Sequence, residues 1–170
     1  MKRRYTRTMK PTPPHDKVQP GDIICIAGAL GDLDAPPAAE GEYLAHCKHV
    51  HTVSDLRDGI DDGIKRIMER SGVSAEIQLE DLPFGAQATQ QYGSQLSRMY
   101  QFALHDGHFF ELLAIVDYKH FADLRVEYKK RFDAQLHAVG RIVEGDNTKV
   151  NYIENAFGAM PIASPWEHFC

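Results

Sequence analysis

The stretch from Asp55 to Pro83 constrains the fold most strongly, because its apolar residues change once from a helical to a strand spacing. Its first half places apolar side chains on one face of a helix, namely Leu56, Ile60, Ile64, Ile67 and Met68. Ser54 is a suitable N-cap, and Asp55 and Asp58 put negative charge in the predicted first turn, where the helix dipole favours it. Gly72 then supplies a residue that adopts the left-handed conformation at a helix end. We therefore expect a helix from Asp55 to about Gly72.

From Ala75 onward, apolar and polar residues alternate strictly. Ala75, Ile77 and Leu79 are apolar, whereas the residues between them carry carboxylate or amide groups. Such alternation is typical of a strand with one buried face, and Pro83 is unsuited to its continuation. The segment predicts a unit of helix, glycine turn and strand.

Four other stretches show clear periodicity. Strands are predicted for the apolar run IICIAGAL at 23–30 and for Phe110–Val116, which is rich in aromatic and β-branched residues. Helices are predicted from Pro36 to about Val50 and over Phe121–Phe132.

The end of the chain predicts a hairpin, and the whole pattern predicts the fold class. Leu136–Glu144 and Val150–Glu154 flank a Gly-Asp-Asn-Thr turn at 145–148. The alternation of strands and helices indicates an α/β fold of the α+β-like kind, a mixed β-sheet covered by helices. Residues 1–18 are interpreted as a basic, Pro-rich arm and linker, and residues 19–170 as a single domain.

Composition excludes several classes of protein. The 170 residues are 43% hydrophobic and 25% charged, as in soluble globular proteins. No apolar run approaches the about 20 residues that span a bilayer, so no membrane association is expected. The net charge of −5 argues against nucleic-acid binding, apart from contact by the basic residues 1–10.

The cysteines indicate a cytoplasmic or other reducing compartment. Cys25, Cys47 and Cys170 are odd in number, widely separated and not arranged as a CxxC pair. We therefore expect free thiols and no disulfide framework.

Four stretches together resemble a known family. They are QPGDIICIAGALGD at 19–32, the segment 55–83, FALHDGHFFELLAIV at 102–116, and AVGRIVEGDN at 138–147 with the terminal PWEHF at 165–169. In this order they resemble the C-terminal domain of thiamine-monophosphate kinase, in the aminoimidazole-ribonucleotide-synthetase superfamily. The resemblance implies that superfamily's C-terminal-domain fold for residues 19–169.

The resemblance gives Asp55 and Asp58 a candidate role. They match the aspartates of the family's Asp-x-Ser-Asp-Gly motif, with Arg57 where serine is usual. On a helix, carboxylates at i and i+3 share a face, so the resemblance implies a cofactor-binding edge for Mg-phosphate. The alternative is that acidic residues stand in a first turn because the helix dipole favours them there.

The family's second motif, Gly-Gly-Glu-Asp-Tyr-Glu, is altered. His108 and Phe109 replace its two polar residues, while Glu111 persists. The resemblance implies Glu111 and Trp166 as substrate-binding candidates, although a near-terminal tryptophan also suits the edge of a core. The loss of carboxylates at 108 and 109 predicts a damaged thiamine-phosphate site, and no catalytic residue is assigned.

One short cluster contains most of the metal-binding residue types. His46, Cys47, His49 and His51 are candidate metal ligands. On a helix, His46 and His49 would share one face and Cys47 and His51 another, which makes a single four-ligand site awkward. The alternative is a polar, partly exposed face.

These observations predict the function. Members of the family bind ATP and magnesium mainly through an N-terminal domain that precedes this one, and we expect its absence here. We therefore predict a degenerate, non-catalytic accessory or structural subunit that needs no cofactor alone and binds a protein partner or a second copy of itself. The alternative is an ATP- and Mg-dependent phosphotransferase, in which a separate chain supplies the ATP-binding half.

Overall fold

The apolar run after Gly21 forms the central strand of the fold. In the computed structural model, which describes residues 17–145, 149–154 and 160–162, this strand is β1, Ile23–Ala27. Ile24 and Ile26 lie in one apolar core, and Cys25 and Ala27 lie in another on the opposite side. Because both faces of the strand are buried, it is apolar throughout rather than alternating.

Six further strands complete one mixed sheet. They are β2 Val50–Leu56, β3 Ser74–Gln78, β4 Phe109–Val116, β5 Leu136–Val143, β6 Val150–Glu154 and β7 Met160–Ile162. The strand order is β2-β4-β1-β5-β3-β6-β7. All neighbouring pairs are antiparallel except β3 with β6, which are parallel.

Helices cover both faces of this sheet. Within the part of the chain that the structure describes, the α-helices are α1 Ala38–His46, α2 Ile60–Ser71, α3 Ala86–Tyr92, α4 Leu96–Gln101 and α5 Phe121–Phe132. Short 3₁₀ turns span Leu79–Asp81 and Tyr118–His120, and a π-helical turn spans Phe102–Asp106. Helices α2 and α4 pack on one face, and α1 and α5 on the other. The predicted class, a mixed sheet covered by helices, is confirmed.

The predicted helix from Asp55 is wrong at its start and right at its end. The chain from Val50 to Leu56 is strand β2, which pairs along its length with β4. Gly59 has a φ of 89°, a conformation that no α-helix contains, so α2 begins only at Ile60. Ser54 is therefore not an N-cap. The helix ends as predicted at Gly72, which has a φ of 65°.

The predicted hairpin of the last two long strands is also wrong. β5 and β6 do not pair with each other, because β3 lies between them. β3 pairs antiparallel with β5 and parallel with β6, which the local turn composition could not reveal. The predicted turn residues 146–148 lie outside the described residues.

Candidate functional site

The sharp connection from β2 to α2 forms a polar site at one end of the sheet. Asp55 lies near the end of β2, and Asp58 follows in the turn that leads to Gly59. A side chain at Gly59 would place its Cβ 2.4 Å from the carbonyl oxygen of Leu104, so glycine is needed for the contact as well as for the φ of 89°. The two aspartates therefore do not share one face of a helix, and that prediction is wrong. Asp61 and Asp62 occupy the first turn of α2 instead.

Both aspartates lie next to arginine side chains. Arg66, on α2, places Nη2 3.9 Å from Asp55 Oδ1 and Nη1 3.6 Å from Asp58 Oδ2. Arg57 Nη2 lies 3.6 Å from Asp55 Oδ2, and the Arg57 backbone N–H donates to Asp55 Oδ1. The two carboxylates therefore do come together, through a shared guanidinium group rather than a shared helical face.

His108 closes this site from the neighbouring strand. Its Nδ1 lies 2.7 Å from the carbonyl oxygen of Arg57. Because a carbonyl oxygen only accepts, Nδ1 must carry the hydrogen. The residue that replaces a family carboxylate thus ties the start of β4 to the turn between β2 and α2. We call Asp55, Arg57, Asp58, Arg66 and His108 the aspartate end.

A buried polar group anchors the first turn of α2 beneath the aspartate end. The hydroxyl of Tyr152 donates to Asp61, whose other oxygen lies 2.6 Å from Lys65 Nζ. Burial first, and then the nearby Asp61 charge, raise the pKa of Tyr152 well above its usual value. His105 Nδ1 lies 3.9 Å from Asp61, and burial lowers the pKa of this histidine. Asp61 and Tyr152 are buried, so their hydrogen bond fixes the helix rather than facing solvent, whereas Lys65 is half-exposed.

Glu111 is fully buried, and Trp166 lies outside the described residues. The Leu33 backbone N–H donates to Glu111 Oε1 at 2.9 Å, which ties strand β4 to the loop after β1. Among the described residues, Oε2 has no hydrogen-bond partner. Substrate binding by Glu111 and Trp166 stays a prediction.

The four candidate metal ligands at 46–51 are dispersed by the structure. His46 ends α1, where its Nδ1 lies 2.7 Å from the carbonyl oxygen of Glu42. Cys47 borders a shallow cleft beside Tyr43, and burial raises the pKa of its thiol, so the thiolate nucleophile is disfavoured. His51 lies on β2, with Nδ1 2.6 Å from the buried Asp22 Oδ2.

His49, the fourth member of that set, belongs to a different group. It lies with Asp117 and His120 at the opposite end of β2 from the aspartate end, and the potential ligand atoms of the three residues lie within 4.8 Å of one another. The Lys119 backbone N–H and, more weakly, His120 lower the pKa of Asp117. We call these three residues the histidine end. The sequence pattern does not reveal this group, because the helix predicted from Pro36 to about Val50 includes His49, which in the structure directly precedes strand β2.

Comparison with solved structures defines the class of fold. The described fold matches a thiamine-monophosphate kinase from Stenotrophomonas maltophilia K279a with a TM-score of 0.63 and 23% identity, covering 81% of this chain and 52% of that one. It also matches a structure of the HypE–HypF complex with a TM-score of 0.64 and 18% identity, covering 87% of this chain and 54% of that one. The fold is therefore that of the aminoimidazole-ribonucleotide-synthetase-like proteins.

Sequence comparison finds relatives that are named thiamine-monophosphate kinase within this fold class. A thiamine-monophosphate kinase of Haemophilus influenzae is 28% identical over 157 aligned residues, covering 75% of this chain and 46% of that protein. The predicted resemblance to thiamine-monophosphate kinase is confirmed. The chain spans about half the length of the curated relative it matches. No family model matches the sequence. Among the described residues, no helix has the length and apolar character that crossing a bilayer requires.

Proposed function

We propose that this chain is a degenerate, non-catalytic thiamine-monophosphate-kinase-like domain that acts as an accessory or structural subunit of an assembly. Two observations support the proposal. The chain is similar to thiamine-monophosphate kinase in sequence and fold, and the chemistry of the aspartate end is altered. Phosphoryl transfer depends on Mg²⁺ and positively charged groups that neutralise the phosphates, with the metal held by free carboxylates.

The observation that carries the proposal is the pairing of Asp55 and Asp58 with arginine. Arg57 and Arg66 lie within 4 Å of these carboxylates, so two positive side chains balance the two negative ones. An Mg²⁺ ion at this position would have to displace a guanidinium group and would meet its repulsion. The arrangement favours a turn stabilised by its own ion pairs over a cation site.

The substrate side of the motif supports the same reading. His108 uses its ring N–H to hold the Arg57 carbonyl, and Phe109 is buried in the core. Neither residue offers the carboxylate that the family resemblance implies at its position. The side chains at 108 and 109 therefore stabilise the local fold.

The partner is proposed to be another protein or a second copy of the chain. The HypE structure that shares this fold was solved in complex with HypF, so a protein of this fold class has a partner. Among the described residues, β2 has β4 as its neighbour on one side and no strand on the other. The edge strand of a sheet is a common place for another chain to pair.

Nucleotide binding by the untagged protein tests the non-catalytic role. Calorimetric titration with Mg-ATP should give no binding heat, and no phosphate should be released over a long incubation. Micromolar binding of Mg-ATP by this chain alone would overturn the proposal.

Purification from the native source tests the accessory role. Mass spectrometry of the proteins that remain bound should identify a stoichiometric partner or a defined homo-oligomer.

The alternative is a kinase that a separate ATP-binding chain completes with Mg and ATP, and the observation on its side is that Asp55 and Asp58 lie close enough to each other to contact one side chain, Arg66. In such a complex, Asp55→Ala and Asp58→Ala should abolish turnover. Asp62→Ala is the matched control, because Asp62 is exposed in the first turn of the neighbouring α2. Full turnover of both aspartate variants would refute the alternative.

A further inference from the structure

The histidine end brings together three ligand residues from separate parts of the chain. His49 immediately precedes β2, Asp117 immediately follows β4, and His120 ends the 3₁₀ turn that leads to α5. The Asp117 backbone N–H donates to the His49 carbonyl oxygen at 2.9 Å, next to the paired residues Val50 and Val116. The sheet register therefore fixes the backbones that carry two of the three side chains.

The three side chains face one another closely. The imidazole rings of His49 and His120 are stacked, with centroids 3.4 Å apart and planes within 3° of parallel. His120 Nδ1 lies 3.3 Å from Asp117 Oδ2, whereas Asp117 Oδ1 accepts from the Lys119 backbone N–H. One carboxylate oxygen is thus engaged by the turn, and the other faces the histidine rings.

One ring nitrogen in this group lacks a regular partner. His120 Nδ1 is buried, and among the described residues it makes no hydrogen bond of normal geometry, although Asp117 Oδ2 is near. A buried nitrogen in this position loses its hydration without a full replacement, which is unfavourable. A metal ion that accepts its lone pair would remove this deficit.

We propose that His49, Asp117 and His120 bind a divalent transition-metal ion, with Zn²⁺ as the representative ion. Two imidazole nitrogens and one carboxylate oxygen form a donor set that Zn²⁺ and its first-row neighbours prefer over Mg²⁺ or Ca²⁺. Three protein ligands leave at least one position open to water or another ligand. Because the lone pairs of the two rings lie in separate, nearly parallel planes, one ring must tilt for both nitrogens to bind the same ion.

This site is separate from the aspartate end and does not depend on the proposed function. At a rise of about 3.3 Å per residue, the strand between His49 and Asp55 is about 20 Å long. A bound ion would tie the start of the edge strand β2 to the turn that enters α5. Its effect would be to stabilise the folded chain, since a metal that binds only the native state raises the free energy of unfolding with the logarithm of its free concentration relative to Kd.

Titration of untagged, metal-free protein with Zn²⁺ tests the proposal. We expect one saturable site per chain by calorimetry, and visible absorption bands typical of four- or five-coordinate Co²⁺ when Co²⁺ replaces Zn²⁺. His49→Ala, His120→Ala and Asp117→Asn should each weaken Zn²⁺ binding about tenfold or more, because each removes a ligand. Circular dichroism should show that each variant keeps the native fold, and His120→Asn replaces His120→Ala if the latter unfolds.

The predicted ligand cluster at 46–51 supplies the matched controls. His46→Ala and Cys47→Ser remove metal-binding side chains close to His49 in sequence but outside the three-residue group. Both variants should bind Zn²⁺ as the unaltered chain does. Loss of binding in these controls with full binding in His120→Ala and Asp117→Asn would overturn the proposal, and so would the absence of saturable Zn²⁺ binding by the unaltered chain.

Discussion

Ionisable side chains gather at both ends of strand β2, but the groups that surround their carboxylates differ. At the aspartate end, Asp55 and Asp58 have the guanidinium groups of Arg57 and Arg66 beside them. At the histidine end, the stacked rings of His49 and His120 face a carboxylate oxygen of Asp117. One end already contains the positive charge that balances its carboxylates, and the other brings three potential metal ligands within 4.8 Å of one another.

The difference shows that residue type alone does not decide where a cation binds. A pair of aspartates is a residue set that a sequence would assign to Mg²⁺. Here the positive charge beside the pair comes from the neighbouring arginine side chains. The histidine end has only one carboxylate, but an imidazole nitrogen is itself a common metal ligand. We therefore expect substitutions at the two ends to separate a structural role from a binding role.

The largest effect is expected for Gly59→Ala, which attacks the backbone of the aspartate end. Its Cβ would lie 2.4 Å from the Leu104 carbonyl oxygen, in a backbone conformation that strains any L-residue. We expect a loss of about 2–4 kcal/mol in the free energy of unfolding, measured by urea denaturation. If folded protein remains, its Zn²⁺ affinity should be unchanged, because the histidine end lies at the other end of β2.

Gly72→Ala is the matched control for that substitution. Gly72 also has a positive φ, 65°, but a Cβ there would meet no atom within 4 Å. It should lose only about 1 kcal/mol, the cost of the left-handed conformation without a collision. Equal losses in the two variants would show that the contact with Leu104 does not matter and would contradict the account of the turn.

The contrast between the two glycines also explains what the sequence could predict of the fold. Gly72 ends a helix whose apolar stripe is strong, so local pattern sufficed to locate it. Gly59 lies inside what looks like the same stripe, because Leu56 has helical spacing from Ile60 although it belongs to β2. Only the pairing of β2 with β4, a contact between distant parts of the chain, separates the strand from the helix.

The same limit applies to the sites. The resemblance singled out Asp55 and Asp58 because one local motif contains both, and their role at an Mg-phosphate edge stays a prediction. It could not show that Arg66 would reach both carboxylates, because the true start of α2 sets the position of that side chain. His49 and His120 are 71 positions apart in sequence (120 minus 49), and no spacing rule relates them before the order of strands is known.

A moderate effect is expected for Tyr152→Phe, which weakens the anchor of α2 beneath the aspartate end. Removal of the hydroxyl takes a hydrogen bond from the buried carboxylate of Asp61, although Lys65 remains. Near pH 7 the variant should lose about 1–2 kcal/mol in the free energy of unfolding. Tyr118→Phe, at a side chain that is 70% exposed, is the control and should change little.

The Tyr152 comparison also has a defined pH dependence. Burial and Asp61 raise the pKa of Tyr152 above its ordinary value of 10.0, so the folded state keeps the proton that the unfolded state loses. The stabilisation is therefore fully present below about pH 10 and declines as the pH rises above it. The difference in unfolding free energy between the unaltered chain and Tyr152→Phe should shrink at alkaline pH. A difference that grew with pH would contradict the buried, protonated state.

The smallest effect on stability is expected for Arg66→Ala, which nevertheless tests the contrast between the two ends most directly. Its ion pairs are long and half-exposed, so the free energy of unfolding should change by less than about 0.5 kcal/mol, as for the exposed control Arg98→Ala.

In the double variant with Arg66→Ala and Arg57→Ser, the carboxylates of Asp55 and Asp58 lose both positive neighbours. Calorimetry should then detect weak Mg²⁺ binding that the unaltered chain does not show, and Asp55→Ala in the same background should remove it. If the double variant still binds no Mg²⁺, the arginines are not what keeps Mg²⁺ from the aspartate end, and the geometry of the turn after β2 must exclude it instead.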